Sequence, residues 1–234
     1  SSAASDVYKR QTLYSDLAAL AERFNFSHSS LSLIPNYNIS PTHEVLTVTQ
    51  ESSPSFQPRA RFMKWGLIPP WATNESIGAR MINARSETIA SKPSFKDSFM
   101  YKRCLVLSDG FFEWPQRGVV KNPMFIQTLD RKPFAFAGIW QTWKPNNRES
   151  INSCSILTTN SKKTISSIHH RMPVILNKEA EHKWLNIDLT NSDELSIIIA
   201  ENSNDNLQAS EVSTFVNSPL NNGEPCISPV IRLL

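Results

Sequence analysis

The sequence predicts a single α+β domain: a mixed or antiparallel sheet with a β-barrel-like core and helices at its periphery. Three observations point there. Strand-length apolar runs outnumber helical patterns and mostly follow one another, which suits consecutive pairing better than a βαβ repeat. The chain has 234 residues, 40% of them apolar, enough to bury one large core. No internal repeat divides it.

Composition bounds the function. Lys plus Arg is 24 against 21 acidic residues, a net charge of +3, which permits a nucleic-acid partner without demanding one. No apolar run approaches the length of a membrane span, and no charged-then-apolar leader indicates secretion. Cys104, Cys154 and Cys226 are odd in number and widely spaced, as buried thiols in a reducing compartment would be. No metal-ligand spacing is visible, and the five His residues supply none.

In chain order, Ser1 to Gln11 is small, polar and aperiodic, and reads as a non-native or disordered leader, with the domain running from 12 to 234. Ser15 caps a short helix with Leu17, Leu20, Ala21 and Phe24 on one face. A polar connection leads to Tyr37–Thr42, where Pro41 keeps Ser40 extended. Val45–Thr49 alternates as a strand, and 51–58 is a Ser/Pro loop. Phe62–Ile68 is a strand broken by Gly66, before Pro69-Pro70 stops regular structure. Trp65 and Trp71 flank that stiff loop, either as core residues or as stacking faces. Asn83–Thr88 is a polar run between apolar pairs, either a surface loop or a buried hydrogen-bonding knot. Phe95 and Phe99 mark a short helix.

Cys104–Leu107 is a continuous apolar strand covered on both faces. Asp109-Gly110 turns the chain into Phe111-Phe112-Glu113-Trp114. A carboxylate among aromatics loses solvation, which raises its pKa and suits it to proton transfer. The alternative is an edge strand with Glu113 facing solvent. Met124–Leu129 and Phe134–Trp140 form a hairpin through Asp130–Pro133, and Cys154–Thr158 is a further strand. Pro173 separates the polar Ile168-His169-His170-Arg171 stretch from an apolar strand. Asn177 caps a helix carrying Ala180, Trp184 and Leu185. Ser192 caps another, carrying Leu195, Ile198 and Ile199. Val212–Val216 is the last strand.

Four polar clusters border these strands: Asn38–Thr42, Asn83-Ala84-Arg85, Glu113-Trp114 and His169-His170-Arg171. Together they supply an amide, a carboxylate, imidazoles and two guanidiniums. A carboxylate with an imidazole moves protons, Arg residues hold phosphates, and Trp rings stack on bases. No nucleophile stands out, because Cys104 and Cys154 sit in strand patterns.

These stretches, with Trp65-Gly66-Leu67-Ile68-Pro69, Arg103–Val106, Phe134–Trp140 and Leu157-Thr158-Thr159, resemble the SOS response-associated peptidase family in family order, from about Leu13 to Val216. The resemblance implies abasic-site processing: a cofactor-free, monomeric cytoplasmic protein binds single-stranded DNA. An amino-terminal Cys closes a thiazolidine on the abasic sugar aldehyde. It further implies a self-processing peptidase-type step that exposes that Cys. By this resemblance Asn83 positions the Cys and the sugar, Glu113 handles the α-amino proton, and His169 is the acid/base on the opening sugar. Arg85 and Arg171 bind phosphates, and Trp65 and Trp114 neighbour the bases. Asn38, Thr159, Met172 and Pro173 complete the DNA path, with Pro41 at a single-strand/double-strand junction. Counting back from Thr12, Tyr8 stands at the family's Cys position, and a phenol cannot close a thiazolidine. This chain is therefore expected to bind DNA without cross-linking it.

Overall fold

The apolar run Cys104–Leu107 lies within a strand that is buried at every residue, and the rest of the chain closes around it. The computed structural model describes residues 10–50, 57–115, 122–146, 149–201 and 206–230. The amino-terminal half holds β1 (Arg10–Leu13), α1 (Leu17–Phe24), β2 (Asn36–Ile39), β3 (Glu44–Thr49), β4 (Arg59–Trp65) and β5 (Asn83–Arg85). Next come α2 (Lys96–Tyr101), β6 (Arg103–Ser108), β7 (Gly110–Glu113), β8 (Met124–Thr128), β9 (Phe134–Trp143) and β10 (Ile151–Asn160). The chain continues with α3 (Lys163–Ser166), β11 (Arg171–Pro173), β12 (Ile175–Leu176), α4 (Lys178–Leu185), α5 (Ser192–Glu201) and β13 (Leu207–Glu211).

Five strands close a ring. β10 pairs with β4 in parallel, and the β4–β3, β3–β6, β6–β9 and β9–β10 pairings are antiparallel. The predicted α+β class with a barrel-like core is what the chain forms, and the closed ring removes the exposed edges an open sheet would leave. A second sheet, ordered β13-β8-β7-β1-β2, lies against the barrel. Along β7 alternate residues face opposite ways. Phe111 turns toward the barrel, its ring 5.8 Å from Phe136 of β9. Phe112 turns outward into a smaller cluster with Phe125, Val212, Val216 and Cys226.

Helices cover the barrel's flank, and Arg103 fastens two of them. Its buried guanidinium donates to the carbonyls of Phe99 and Met100 at the end of α2, and of Trp184, Asn186 and Leu189 at and beyond the end of α4. Those are carbonyls a helix end leaves without partners. Burial pushes the Arg103 pKa down to about 10, still far above neutrality, so the cation persists.

Several local expectations shift by a few residues. α1 is capped by Asp16, whose carboxylate accepts from the Ala18 and Ala19 amides, and Ser15 instead donates to Asp109. Asn191, rather than Ser192, caps α5 by accepting from the Asp193 and Glu194 amides. Asn177 caps α4 as expected, accepting from Ala180 at 2.9 Å. The final strand is Leu207–Glu211, and Thr214–Asn217 is a 3-10 turn instead. β4 ends at Trp65 because Gly66 takes φ of 132°, and a Cβ there would lie 2.6 Å from the Gly78 carbonyl oxygen.

The expected leader ran to Gln11, but Arg10 and Gln11 already belong to β1, with Arg10 opposite Phe112 and Gln11 opposite Phe111. Tyr8 lies outside the described residues.

Candidate active site

The carboxyl-terminal half of β10 gathers two distant parts of the chain. On one side of its carboxyl-terminal half runs β5, parallel, with Asn83 opposite Ile156 and Arg85 opposite Thr158. On the other runs β11, antiparallel, with Pro173 opposite Thr158, Met172 opposite Thr159 and Arg171 opposite Asn160. Of the polar run Asn83–Thr88, Asn83–Arg85 is thus a strand and residues 86–88 a turn, whose Glu87 is hydrogen-bonded to Arg171. The strand's backbone pairs with β10; Arg85 is exposed and Asn83 half-buried.

Arg171 is buried yet fully engaged on both terminal nitrogens. Nη1 and Nη2 grip the Glu87 carboxylate at 2.8 and 2.9 Å. Nη2 also donates to the Thr158 carbonyl at 2.7 Å, and Nη1 to Asn160 Oδ1 at 3.2 Å. Burial works to raise the Glu87 carboxyl, but the Arg171 hydrogen bonds, a backbone bond and the charges of Arg171 and Arg85 outweigh it and hold it below the usual range. Two residues earlier, the buried His169 ring sets Nδ1 3.0 Å from the Arg171 backbone nitrogen and 3.2 Å from the Arg171 carbonyl oxygen. The His170 ring lies against it at 4.4 Å.

Glu113 comes from the second sheet. It shares with Phe111 the face of β7 turned toward the barrel, and it is only 2% exposed. β7 lies between β8 and β1, so the edge-strand alternative does not hold. Because β1 runs antiparallel to β7 with Arg10 opposite Phe112, the chain enters β1 at the end where Glu113 stands. Gln11, directly opposite Phe111 and fully buried, lies on the same inward face.

Other expected contacts fall elsewhere. Trp65 is 0% exposed, with its indole N–H on the Ile82 carbonyl at 3.0 Å. A ring closed into the core offers no face to a base, and the exposed tryptophan of that pair is Trp71, at 60%. Met172 and Pro173 are buried beside β10, Thr159 is half-buried, and Pro41 is half-buried before Thr42, whose φ is 73°. Asn38 and Trp114 lie on the outward face of the second sheet. The Asn38 amide donates to the carbonyls of Val216, Ser218 and Asn221, and the Trp114 indole donates to Asn217 Oδ1 at 2.8 Å. Both therefore help to hold the carboxyl-terminal segment.

Sequence reasoning missed Glu87 and Arg10. Glu87 lay inside the polar run from Asn83, and its partner Arg171 is remote in sequence, so no local spacing reveals the fork. Arg10 donates to Asn38 Oδ1 at 2.9 Å and to the Val216 carbonyl at 2.7 Å, with its guanidinium 5.8 Å from the Trp114 ring centroid.

Cys104, Cys154 and Cys226 are free and buried. Burial pushes all three thiols up, so none offers a thiolate near neutrality. Among the described residues no group of three or more His, Cys, Asp or Glu side chains is placed to hold a metal ion. Nor is any helix among them long and apolar enough to cross a membrane.

Comparison with known proteins places the chain in a family. The model of the family described as SOS response associated peptidase (SRAP) matches residues 9–219. The chain is 38% identical over 221 residues to the abasic site processing protein YoqW of Bacillus subtilis (strain 168), covering 93% of this chain and 97% of the relative. It is 35% identical over 192 residues to the abasic site processing protein HMCES of Gallus gallus, covering 72% of this chain and 56% of that one. A crystal structure of a protein from Bacteroides thetaiotaomicron superimposes with a TM-score of 0.84 at 29% identity, covering 95% of this chain and 99% of the other.

Proposed function

The chain belongs to the SOS response associated peptidase family, and from that membership we propose that it processes abasic sites in single-stranded DNA, gripping the strand beside the carboxyl-terminal half of β10. The observation that carries the reading is the meeting of Asn83, Arg85 and Arg171 around that one strand, with the His169 ring on the Arg171 backbone, in a chain that aligns with a protein named for abasic-site processing over nearly its whole length.

Each group has a task its surroundings suit. Arg85 is exposed and reaches a phosphate. Arg171 is committed to Glu87, so its part is to fix the wall of the site, with any phosphate contact made by what that fork leaves over. His169, with its ring held against the Arg171 backbone, passes a proton to the opening sugar. Asn83 orients the sugar and the chain's start. Glu113, desolvated on the inward face of β7, takes the proton of an attacking amine.

The covalent step of this reading requires an amine and a thiol on adjacent carbons. The amine condenses with the sugar aldehyde and releases water; the thiol then adds to the resulting C=N bond and closes the thiazolidine. Cys104, Cys154 and Cys226 are internal and buried, so none of them supplies that pair of groups, and a polypeptide starting at Ser1 is expected to hold abasic DNA without forming that ring.

The test is binding of the chain to single-stranded oligonucleotides with and without one abasic site, read by fluorescence anisotropy. Tighter binding to the abasic strand is expected, reduced by Asn83→Ala and Arg85→Gln. Equal affinity for both strands, falling steeply with salt, would instead assign a passive single-stranded DNA binder. Cleavage of an added unstructured protein would assign a protease.

A further inference from the structure

His169 and His170 stack although they are neighbours in sequence. Consecutive side chains of an extended strand point to opposite faces, so two adjacent rings meet only where the chain bends. It bends at His170, one residue before β11 begins. The backbone is fixed on both sides of the bend. The His169 N–H donates to the Ile165 carbonyl at 2.9 Å, and the His170 carbonyl accepts the Ser161 N–H at 3.0 Å. The ring centroids lie 4.4 Å apart, with the planes 30° from parallel. His169 is 4% exposed, whereas His170 is an exposed residue. One side of the buried imidazole is thus covered by a second group of the type that titrates near neutrality. The other charged groups around the pair are Arg171 of β11, Glu87 of the turn after β5, Arg85 of β5 and Lys162 ahead of α3. Arg171 and Glu87 offset each other in their fork. Arg85 is exposed beside that fork, and the exposed Lys162 donates to the Ala200 carbonyl.

We propose that His170 is a positioning residue for His169: it covers the buried ring and, when protonated, opposes a second charge 4.4 Å away. The two rings then take up one proton readily and the second only at lower pH. An imidazole whose charged form is opposed gives up its proton more readily, which suits a group that hands a proton to an opening sugar. That task for His169 rests on the abasic-site reading; the coupling of the two rings is a property of the chain without DNA.

The experiment is an NMR titration of the imidazole signals of the full chain, without DNA, in the wild type, His170→Phe and His170→Asn. Phe keeps a ring over His169 but carries no proton. Two unit charges at this spacing repel enough, even at the screening of water, to move a midpoint by about 0.7 pH unit. In His170→Phe the His169 midpoint is therefore expected to rise by about 0.7 pH unit or more, and its curve to lose any second step. In His170→Asn it is expected to rise at least as far, because the ring also gains water. A His169 midpoint that stays in place in both variants overturns the proposal. A rise in His170→Asn alone shows cover without coupling of charge, and overturns it too. A second arm uses a variant in which Met-Cys-Gly directly precedes Arg10, with the Met removed. There the limb of the pH–rate profile for adduct formation that reports His169 is expected to shift with the NMR midpoint when His170→Phe is added. A midpoint that moves while the profile stays fixed leaves the coupling standing and removes His169 from the abasic-site chemistry.

Discussion

Arg171 and Glu87 meet in a two-bond fork, 2.8 Å from Nη1 and 2.9 Å from Nη2, that ties the turn after β5 to the start of β11. The arginine end is buried and the glutamate end is 42% exposed, so solvent screens part of the pair's energy. The pair makes the site's edge dependent on pH. The folded Glu87 carboxyl lies below its ordinary value of 4.5, so its contribution to stability is present above that value and is lost as pH falls through the lower folded pKa. Glu87→Gln is therefore expected to be less stable than the wild type near neutrality, with the difference shrinking below pH 4.5. Denaturant melts at a series of pH values measure this. A difference that stays constant across the acid range would show that the carboxylate charge plays no part.

Arg103 should be irreplaceable by lysine. A single ammonium cannot reach carbonyls at the ends of both α2 and α4, and the unreached ones stay buried without partners. Arg103→Lys is expected to cost about 3 kcal/mol or more in chemical denaturation, in the range for a buried charge that loses its fixed partners. The loss should be similar with or without DNA, since the residue lies on the helical flank.

Much of this architecture was readable from the chain. Cys104–Leu107 and Phe134–Trp140 declared buried strands through unbroken apolar runs, and Asn177 declared its cap. What sequence could not convey was depth and facing. Trp65 and Trp71 look alike as letters, yet Gly66 turns the chain so that one ring seals the barrel and the other stands in solvent. Asn38 and Trp114 belong to candidate polar clusters by composition, but strand alternation directs them to the outer face. The Arg171–Glu87 fork joins residues 84 apart, and ion pairing at such separation leaves no periodic trace. Barrel closure, too, depends on β10 pairing with both β4 and β9, which no local pattern encodes.

The thiazolidine reading needs an amine and a thiol on adjacent carbons, which the internal, buried Cys104, Cys154 and Cys226 cannot supply. Incubated with abasic single-stranded DNA and run on a denaturing gel, a polypeptide starting at Ser1 is expected to give no shifted band. A variant in which Met-Cys-Gly directly precedes Arg10, with the Met removed, is expected to give a heat-stable adduct. Glu113→Gln in that variant should slow adduct formation by about 100-fold, the usual scale for one proton-transfer group. A shifted band from the unaltered chain would require another nucleophile and would sink the thiazolidine reading.

The last prediction concerns how the chain's start is aimed. Arg10 follows directly on the undescribed amino terminus and is fixed by Asn38 Oδ1 and the carbonyls of Val216 and Asn217. Asn38 in turn holds the Val216, Ser218 and Asn221 carbonyls. The carboxyl-terminal segment is thus a strap across β1, and β1 is the strand that arrives beside Glu113. Asn38→Ala removes the amide joining strap and strand, at a cost of about 1–3 kcal/mol for the buried groups left without partners. Hydrogen exchange is expected to quicken in residues 213–226 and in β1, while β10 and β9 keep their protection, because the barrel closes without the strap. In the variant bearing the amino-terminal Cys, Asn38→Ala should slow adduct formation while leaving affinity for intact single-stranded DNA unchanged. That split distinguishes aiming of the nucleophile from DNA contact: if Asn38 touched the strand itself, affinity would fall together with the rate.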